Sequence, residues 1–375
     1  MKIVYCIHAL YNCGGMERVI TNKVNYLSSI GYDVVIITTE QKERKPFFPL
    51  FSDNLCIDLS INYSDSSNNI LLKMIDFILK KYKHRKRLKK VLFQLNADIV
   101  ISTFGNEMSF LPKIKDGSKK VAEIHFSRYF RNQYNRKGLW HYVDSFRSIR
   151  DLQYIKKFDK FVVLTKEDKE YWGNLHNIVI IPNFIFNYPS HISSLKYKKV
   201  VAVGRLTYQK GYDILIKIWK YVSKECPDWI LEIYGEGEEY VTLKKNIDDE
   251  HLASSIILKS PVSDIESVYL QSSVLVLSSR YEGLPMVLLE AMSIGLPIVA
   301  FACKCGPRDV IDNGVNGFLL ETMDVSHFAS KMILLMKDYH LRKEMGRLAR
   351  NKSLSYSIKN IMIQWTSLFD ELANC

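Results

Sequence analysis

Short, mainly apolar runs alternate with helix-length segments along almost the whole chain, and the alternation restarts once. In the first half the runs fall at 3–7, 34–38, 98–102, 121–124 and 161–164; in the second, at 200–203, 230–234, 256–258, 274–277 and 297–301. Runs of this kind suit parallel strands buried on both faces. Helical patterns lie between them, over 17–30 (closed by Gly31) and 142–157, then over 212–224, 238–249, 285–293 and 326–337. A last one, over 357–372, carries Ile361, Trp365, Leu368 and Leu372 on one face. Such alternation predicts an α/β protein with two doubly wound, Rossmann-like domains. Between the halves, Ile181-Pro182-Asn183-Phe184 and Tyr188-Pro189-Ser190 read as a boundary, so the domains are expected over 1–185 and 196–356, with a linker at 186–195.

The totals agree with two domains. A chain of 375 residues exceeds one ordinary compact domain. It has no apolar stretch of the ~18 residues that a membrane span needs. The first run lacks a basic flank and leads into Gly14-Gly15, so it reads as a strand rather than a signal peptide. The seven cysteines are scattered, and only Cys303 and Cys305 are close. Neither a disulfide framework nor a metal site is expected, and a cytoplasmic, reducing setting fits. Charge separates the halves. Residues 1–190 hold 30 basic and 18 acidic side chains and residues 191–375 hold 22 and 22, so the whole net charge of +12 lies in the first half. An anionic partner is expected there.

In doubly wound sheets ligands bind beyond the carboxyl ends of the strands, and the chemistry-bearing residues follow strands. Gly14-Gly15-Met16-Glu17 lies between the first strand and the first helix, where backbone amides and the helix terminus suit an anion. Arg205, and Lys210 just before Gly211, follow the first strand of the second half, a pairing suited to a diphosphate. Fixed cations there would stabilise the charge of a departing nucleoside diphosphate without a metal. Arg280-Tyr281-Glu282-Gly283-Leu284-Pro285-Met286 follows the run 274–277 and enters a helix that carries Glu290. Pro285 suits the first helical position, leaving the amides of Met286, Val287 and Leu288 free. Two carboxylates so placed can hold two hydroxyl-bearing parts of one ligand. His125 ends another strand and is expected to face the ligand. The dense basic run 80–90, with Lys86, Arg87, Lys89 and Lys90, continues an apolar-periodic segment and reads as a basic amphipathic helix for an anionic membrane surface. Arg128, Arg131, Arg136 and Lys137, among aromatic residues, are expected to act likewise. No nucleic-acid-binding motif accompanies the charge.

Together these motifs resemble the retaining glycosyltransferases of family four, which have the GT-B fold. The resemblance rests on Tyr281-Glu-Gly-Leu-Pro-Met-Val-Leu-Leu-Glu290, with seven residues between its glutamates, and on Val203-Gly-Arg-Leu with Gln209-Lys-Gly. It is supported by Ile233-Tyr-Gly-Glu-Gly, Asn313-Gly-Val-Asn-Gly-Phe-Leu and Gly14-Gly15-x-Glu17. It implies two domains facing each other across a cleft, with the final helix, 357–375, crossing back to the first. Arg205 and Lys210 would then bind the donor diphosphate, Glu282 the transferred sugar, and Glu290 the ribose. The backbone around Gly283, Leu284, Pro285 and Met286 would line the sugar, and Val262 would face the base. Gly14 and Gly15 would approach the phosphates, while His125 and Glu17 would lie near sugar or acceptor. No metal or other cofactor is implied. The segment Cys303-Lys304-Cys305-Gly306-Pro307 departs from the loop of many relatives and is similar to the branch that builds bacterial surface polysaccharides and lipid-linked oligosaccharides. The expected reaction moves a hexose or N-acetylhexosamine from a UDP-sugar to a growing glycan, on a polyprenyl diphosphate carrier at the cytoplasmic face of the membrane. An epimerase of the same fold is the alternative, with a basic nucleic-acid-binding protein, favoured only by charge, behind it. A dehydrogenase is disfavoured because no Gly-x-Gly-x-x-Gly follows the first strand.

Overall fold

The computed structural model describes residues 1–51, 55–65, 69–131 and 138–374, which form two α/β units. The first holds Met1–Leu164, Lys169–Ile181 and Met362–Cys375; the second holds Thr165–Asp168 and Pro182–Ile361.

The first unit is built on seven strands: β1 (Lys2–Ile7), β2 (Asp33–Thr38), β3 (Leu55–Asp58), β4 (Ile99–Ser102), β5 (Lys119–Glu123), β6 (Lys160–Val163) and β7 (Ile178–Ile180). They lie in the order β3-β2-β1-β4-β5-β6-β7, all parallel. The chain winds outward from β1 in one direction and from β4 in the other, so the topological switch lies between them. Helices α1 (Gly15–Ser29), α2 (Ile70–Leu95), α3 (Leu139–Ile155) and α4 (Lys166–Trp172) connect the strands. Helix α2 has local start and stop signals: the Asn69 side chain accepts from the amides of Leu71 and Leu72, and Asn96 closes the helix in the left-handed region.

The second unit repeats the plan with β8 (Lys199–Val203), β9 (Ile230–Tyr234), β10 (Ile256–Lys259), β11 (Val274–Leu277), β12 (Ile298–Phe301) and β13 (Gly317–Leu320), in the order β10-β9-β8-β11-β12-β13. Its switch lies between β8 and β11. Its helices are α5 (Tyr212–Glu225), α6 (Tyr240–Asp249), α7 (Ile265–Leu270), α8 (Met286–Ser293), α9 (Pro307–Val310), α10 (Val325–Lys337) and α11 (Tyr339–Ser353). Helix α5 buries Ile214, Leu215, Ile218, Trp219 and Val222 against the sheet, each such side chain contributing about 1.5–3 kcal/mol. The Trp219 indole donates to Ser255 Oγ at 3.1 Å, so the largest core side chain leaves no orphan N–H.

Segment 186–195, expected to link the domains, is packed within the second unit. Ser193 Oγ donates to the Ser272 carbonyl at 2.6 Å, and the buried Arg342 guanidinium donates to the Leu195 carbonyl. The last helix, α12 (Ile358–Ala373), begins in the second unit, and from Met362 on belongs to the first. There Trp365 and Phe369 are buried, with Phe369 edge-on to Tyr32.

Candidate active site

In the second unit the two loops flanking the switch are joined residue to residue. After β8, Gly204-Arg205-Leu206 runs into a short 3-10 turn, Tyr208–Lys210, and Gly211 opens α5. Gly211 has φ 65°, and a Cβ there would stand 2.3 Å from the Ser278 carbonyl oxygen, so only glycine lets the turn approach the end of β11 this closely. Lys210 consequently lies beside the second loop. Its ammonium is 2.7 Å from Glu282 Oε1, which also accepts from Ser279 Oγ at 2.6 Å. Both partners are largely out of solvent, with 14% and 7% of their side chains exposed. Arg205 stands exposed at the strand end.

Arg280 clamps the same junction. Its guanidinium forks onto Asp213 at 2.8 and 2.7 Å, donates to the Tyr208 carbonyl at 2.7 Å, and lies 4.0 Å over the Tyr208 ring. Burial would raise the Asp213 pKa, but the Arg280 fork outweighs it and holds the carboxyl below its usual range. The Gln209 amide donates to the Tyr281 carbonyl at 3.0 Å. Sequence reasoning assigned Arg280 no role of its own; the bond to Asp213 spans 67 residues of chain and carries no local signal.

Pro285 departs from expectation by one position. Its ψ of 111° makes it the N-cap rather than the first helical residue, so its carbonyl accepts from the Leu288 amide at 3.1 Å. That amide is therefore engaged within the helix instead of being open to a ligand. Glu290 lies on α8, with its carboxylate 3.3 Å from the Tyr269 hydroxyl. Val262 is exposed in the loop after β10.

The unusual loop 303–306 packs on this entry. Gly306 has φ 96°, and a Cβ there would meet Pro285 Cδ at 2.5 Å and the Gly283 carbonyl oxygen at 2.8 Å. The Lys304 carbonyl accepts from the Glu282 amide at 3.0 Å. The Cys305 amide donates to Glu167 at 2.9 Å, and Asp309 accepts from the Lys166 amide at 2.7 Å. Burial, reinforced by the Glu282 carboxylate, pushes the Cys303 thiol well above its usual pKa, which keeps it un-ionised beside the site. In the motif 313–319, Asn316 Nδ2 donates to the Val310 carbonyl and its Oδ1 accepts from the Asp312 amide, while Asn313 accepts from the Leu319 amide. These asparagines hold a turn.

In the first unit, Gly14 is the extended N-cap of α1. A Cβ on Gly15 would meet nothing within 4 Å, whereas the Glu17 carboxylate folds back over Gly14 and accepts from Asn12 at 3.4 Å. The open side of the helix terminus is therefore at Gly15. His125 follows β5, and its side chain is enclosed rather than standing free in solvent, at 4% exposed. Its Nε2 lies 3.1 Å from Glu123 Oε1, without the alignment of a hydrogen bond. Glu123 is ion-paired in turn with the buried ammonium of Lys23. Burial acts to raise the Glu123 pKa, but Lys23 and His125 prevail and bring it down to about 2.

The expected basic surfaces are arranged differently from the prediction. The first half of α2 is not an amphipathic stripe: Leu71, Leu72, Met74, Ile75, Phe77, Ile78 and Leu79 are all exposed. The cations lie further along, where Leu88 and Leu92 turn into the core and Lys86, Arg87, Lys89 and Lys90 face solvent. The Arg87 guanidinium also donates to the Leu59 and Ser60 carbonyls. Arg128 and Arg131 are engaged within the fold. Arg128 donates to the Tyr171 carbonyl and lies over Trp172, and Arg131 pairs with Asp151 at 3.0 Å. Their guanidiniums brace the unit through an aromatic face, a backbone carbonyl and a carboxylate. Arg136 and Lys137 lie outside the described residues. Among the described residues no helix is long and apolar enough to cross a membrane.

Comparison with known proteins bears on this arrangement. The sequence matches the glycosyl transferases group 1 family over residues 186–352 and glycosyltransferase family 4 over residues 13–185. It is 31% identical to an uncharacterized glycosyltransferase of Haemophilus influenzae, over 98% of this chain and 99% of that one. It is 30% identical to the amylovoran biosynthesis glycosyltransferase AmsD of Erwinia amylovora, with the same coverage. Among solved structures it is similar to S. aureus TarM in complex with fondaparinux, α-GlcNAc-glycerol and UDP, with TM-score 0.79 and 20% identity, over 98% of this chain and 99% of that one.

Proposed function

This chain belongs to the family 4 glycosyltransferases with the GT-B fold, and from that premise we propose that it moves a hexose or N-acetylhexosamine from a UDP-sugar to a growing bacterial surface glycan, with retention of anomeric configuration. The similarity to the amylovoran enzyme supports the polysaccharide setting, and the UDP bound by the TarM structure supports the donor.

The observation that carries the reading is the Lys210–Glu282 contact at the switch of the second sheet. It gathers a cation for the diphosphate and a carboxylate for the sugar into one spot. Among the described residues the Lys210 and Ser279 contacts of the carboxylate both fall on Oε1, and Oε2 is the oxygen to accept from a sugar hydroxyl. Arg205, exposed after the end of β8, supplies a second cation. As the glycosidic bond breaks, negative charge builds on the β-phosphate oxygens. Arg205 and Lys210 take the part that a divalent ion has in metal-dependent enzymes. The leaving phosphate, held on the face where the acceptor attacks, takes the acceptor's proton. Glu290 holds the ribose, the Val262 backbone faces the base, and the backbone of Gly283–Met286 lines the sugar.

The first unit serves the acceptor. Its surplus positive charge and the exposed apolar half of α2 support attachment to an anionic membrane surface, where a polyprenyl-diphosphate-linked acceptor would be found.

A panel of nucleotide sugars, with nucleotide release as readout and NMR of the product's anomeric proton, tests this. Turnover of a UDP-sugar, undiminished by EDTA, with an axial-to-axial outcome, supports it. An inverted product, or an epimerised sugar formed from donor alone, overturns it.

A further inference from the structure

Lys23 is a lysine in an unusual place. It lies in the middle of α1, only 2% of its side chain reaches solvent, and its ammonium is ion-paired with Glu123 at the end of β5. The same ammonium lies 3.8 Å from the centre of the Trp365 ring on α12, and 5.8 Å from that of Tyr5. A desolvated cation over an indole face is held by about 2 kcal/mol or more. Three elements distant in sequence thus converge on one charge.

The arrangement costs something that packing alone does not require. Burying a lysine and a carboxylate together is often no better than burying apolar side chains of the same volume. Here the carboxylate is also left incomplete: Glu123 Oε2 and both ring nitrogens of His125 are buried without a hydrogen-bond partner among the described residues. Glu123 Oε1 nevertheless lies 3.1 Å from His125 Nε2. The imidazole's place therefore depends on a carboxylate that Lys23 holds, and Lys23 is in turn held under Trp365.

We propose that Lys23, Glu123 and Trp365 are positioning residues for His125, so that docking of the last helix sets where the imidazole stands during sugar transfer. The proposal rests on the reading of His125 as a residue of the transfer site. None of the three touches the reacting atoms; they act through the imidazole.

The test uses the full chain in three variants and two readouts. Lys23→Met/Glu123→Gln removes both charges and keeps the volumes. Trp365→Leu removes the ring, and Trp365→Phe keeps an aromatic face. In histidine-labelled protein the His125 ring signal is identified by its loss in His125→Ala. That signal is expected to move in Lys23→Met/Glu123→Gln and in Trp365→Leu, to stay in Trp365→Phe, and the other histidines to be unaffected. An unmoved His125 signal in both perturbing variants overturns the proposal. UDP release from UDP-glucose and UDP-N-acetylglucosamine gives the second readout. The perturbing variants should lose about tenfold to a hundredfold in kcat with donor KM unchanged, and lose nothing further in a His125→Ala background. A loss that persists undiminished in that background makes the cluster a scaffold only and overturns the proposal. If His125→Ala itself turns over at the wild-type rate, the transfer role of His125 falls, and the ring signal still decides whether the cluster positions it.

Discussion

The Lys210 ammonium lies 2.7 Å from Glu282 Oε1, joining the turn that leaves β8 to the loop that leaves β11. In the proposed reading one residue meets the diphosphate and the other the sugar, and their contact couples the two. Lys210→Ala and Glu282→Gln are each expected to lower kcat/KM for nucleotide-sugar turnover by about 10²–10³, and the double variant by little more than the worse single one. Initial rates of nucleotide release, with circular dichroism to verify folding, check this. Additive losses would mean that the contact is incidental.

Gly211 and Gly15 predict opposite outcomes for the same substitution. At Gly211 the φ of 65° and the 2.3 Å approach to the Ser278 carbonyl leave no room for a methyl group. Gly211→Ala should cost more than about 1 kcal/mol of stability and lower the melting temperature by several degrees. At Gly15 a methyl group would meet nothing within 4 Å. Gly15→Ala should therefore melt with the wild type, and any rise in donor KM would report a ligand approaching that helix end. A thermal melt of both variants distinguishes the two positions.

These glycines show what a sequence can reveal. Gly204, Gly211 and the Glu282-Gly283-Leu284-Pro285 entry are short-range signals, since each states a local backbone need at a strand end. The strands that local patterning missed, β3, β7 and β13, each hold only three apolar residues, a weaker signal than the four of β11 or β12. Helix α11 was missed because its surface is charged along most of its length, with Arg342 and Met345 among the few residues turned inward. What joins the site together was not legible at all. The Arg280–Asp213 fork and the Lys23–Trp365 stack exist only after distant segments meet. The apolar half of α2 was legible as helix, but which faces stay exposed depends on what packs there.

Acid should expose the role of Glu123. Its pKa in the folded chain is about 2 against 4.5 for the free side chain. The unfolded chain therefore binds the proton more readily between these values, and stability is lost as pH falls from about 4.5 toward 2. Urea unfolding across that range should show a shallower acid loss in Glu123→Gln than in the wild type. Parallel curves would show that other carboxylates govern it.

The proposed membrane attachment would have two separable parts. Replacing Leu72, Ile75 and Leu79 with serine should weaken binding to phosphatidylglycerol vesicles by at least about tenfold, because each side chain carries roughly 1.5–3 kcal/mol when fully buried. Charge reversal at Lys86, Arg87, Lys89 and Lys90 should weaken it mainly at low salt. Co-sedimentation measures both. Wild-type binding by both variants would remove the membrane assignment and leave the transferase chemistry untouched.

Calorimetric titration of the full chain with UDP, and with the UDP-sugar it turns over, reads out whether the switch-point loops of the second unit hold a nucleotide sugar in a fixed orientation. Arg205→Ala and Glu290→Ala are expected to weaken both ligands, whereas Glu282→Ala is expected to leave UDP binding intact and to lose the extra affinity that the sugar confers. Wild-type UDP affinity in Arg205→Ala and Glu290→Ala, or a Glu282→Ala variant that loses UDP and keeps the sugar's contribution, would contradict it.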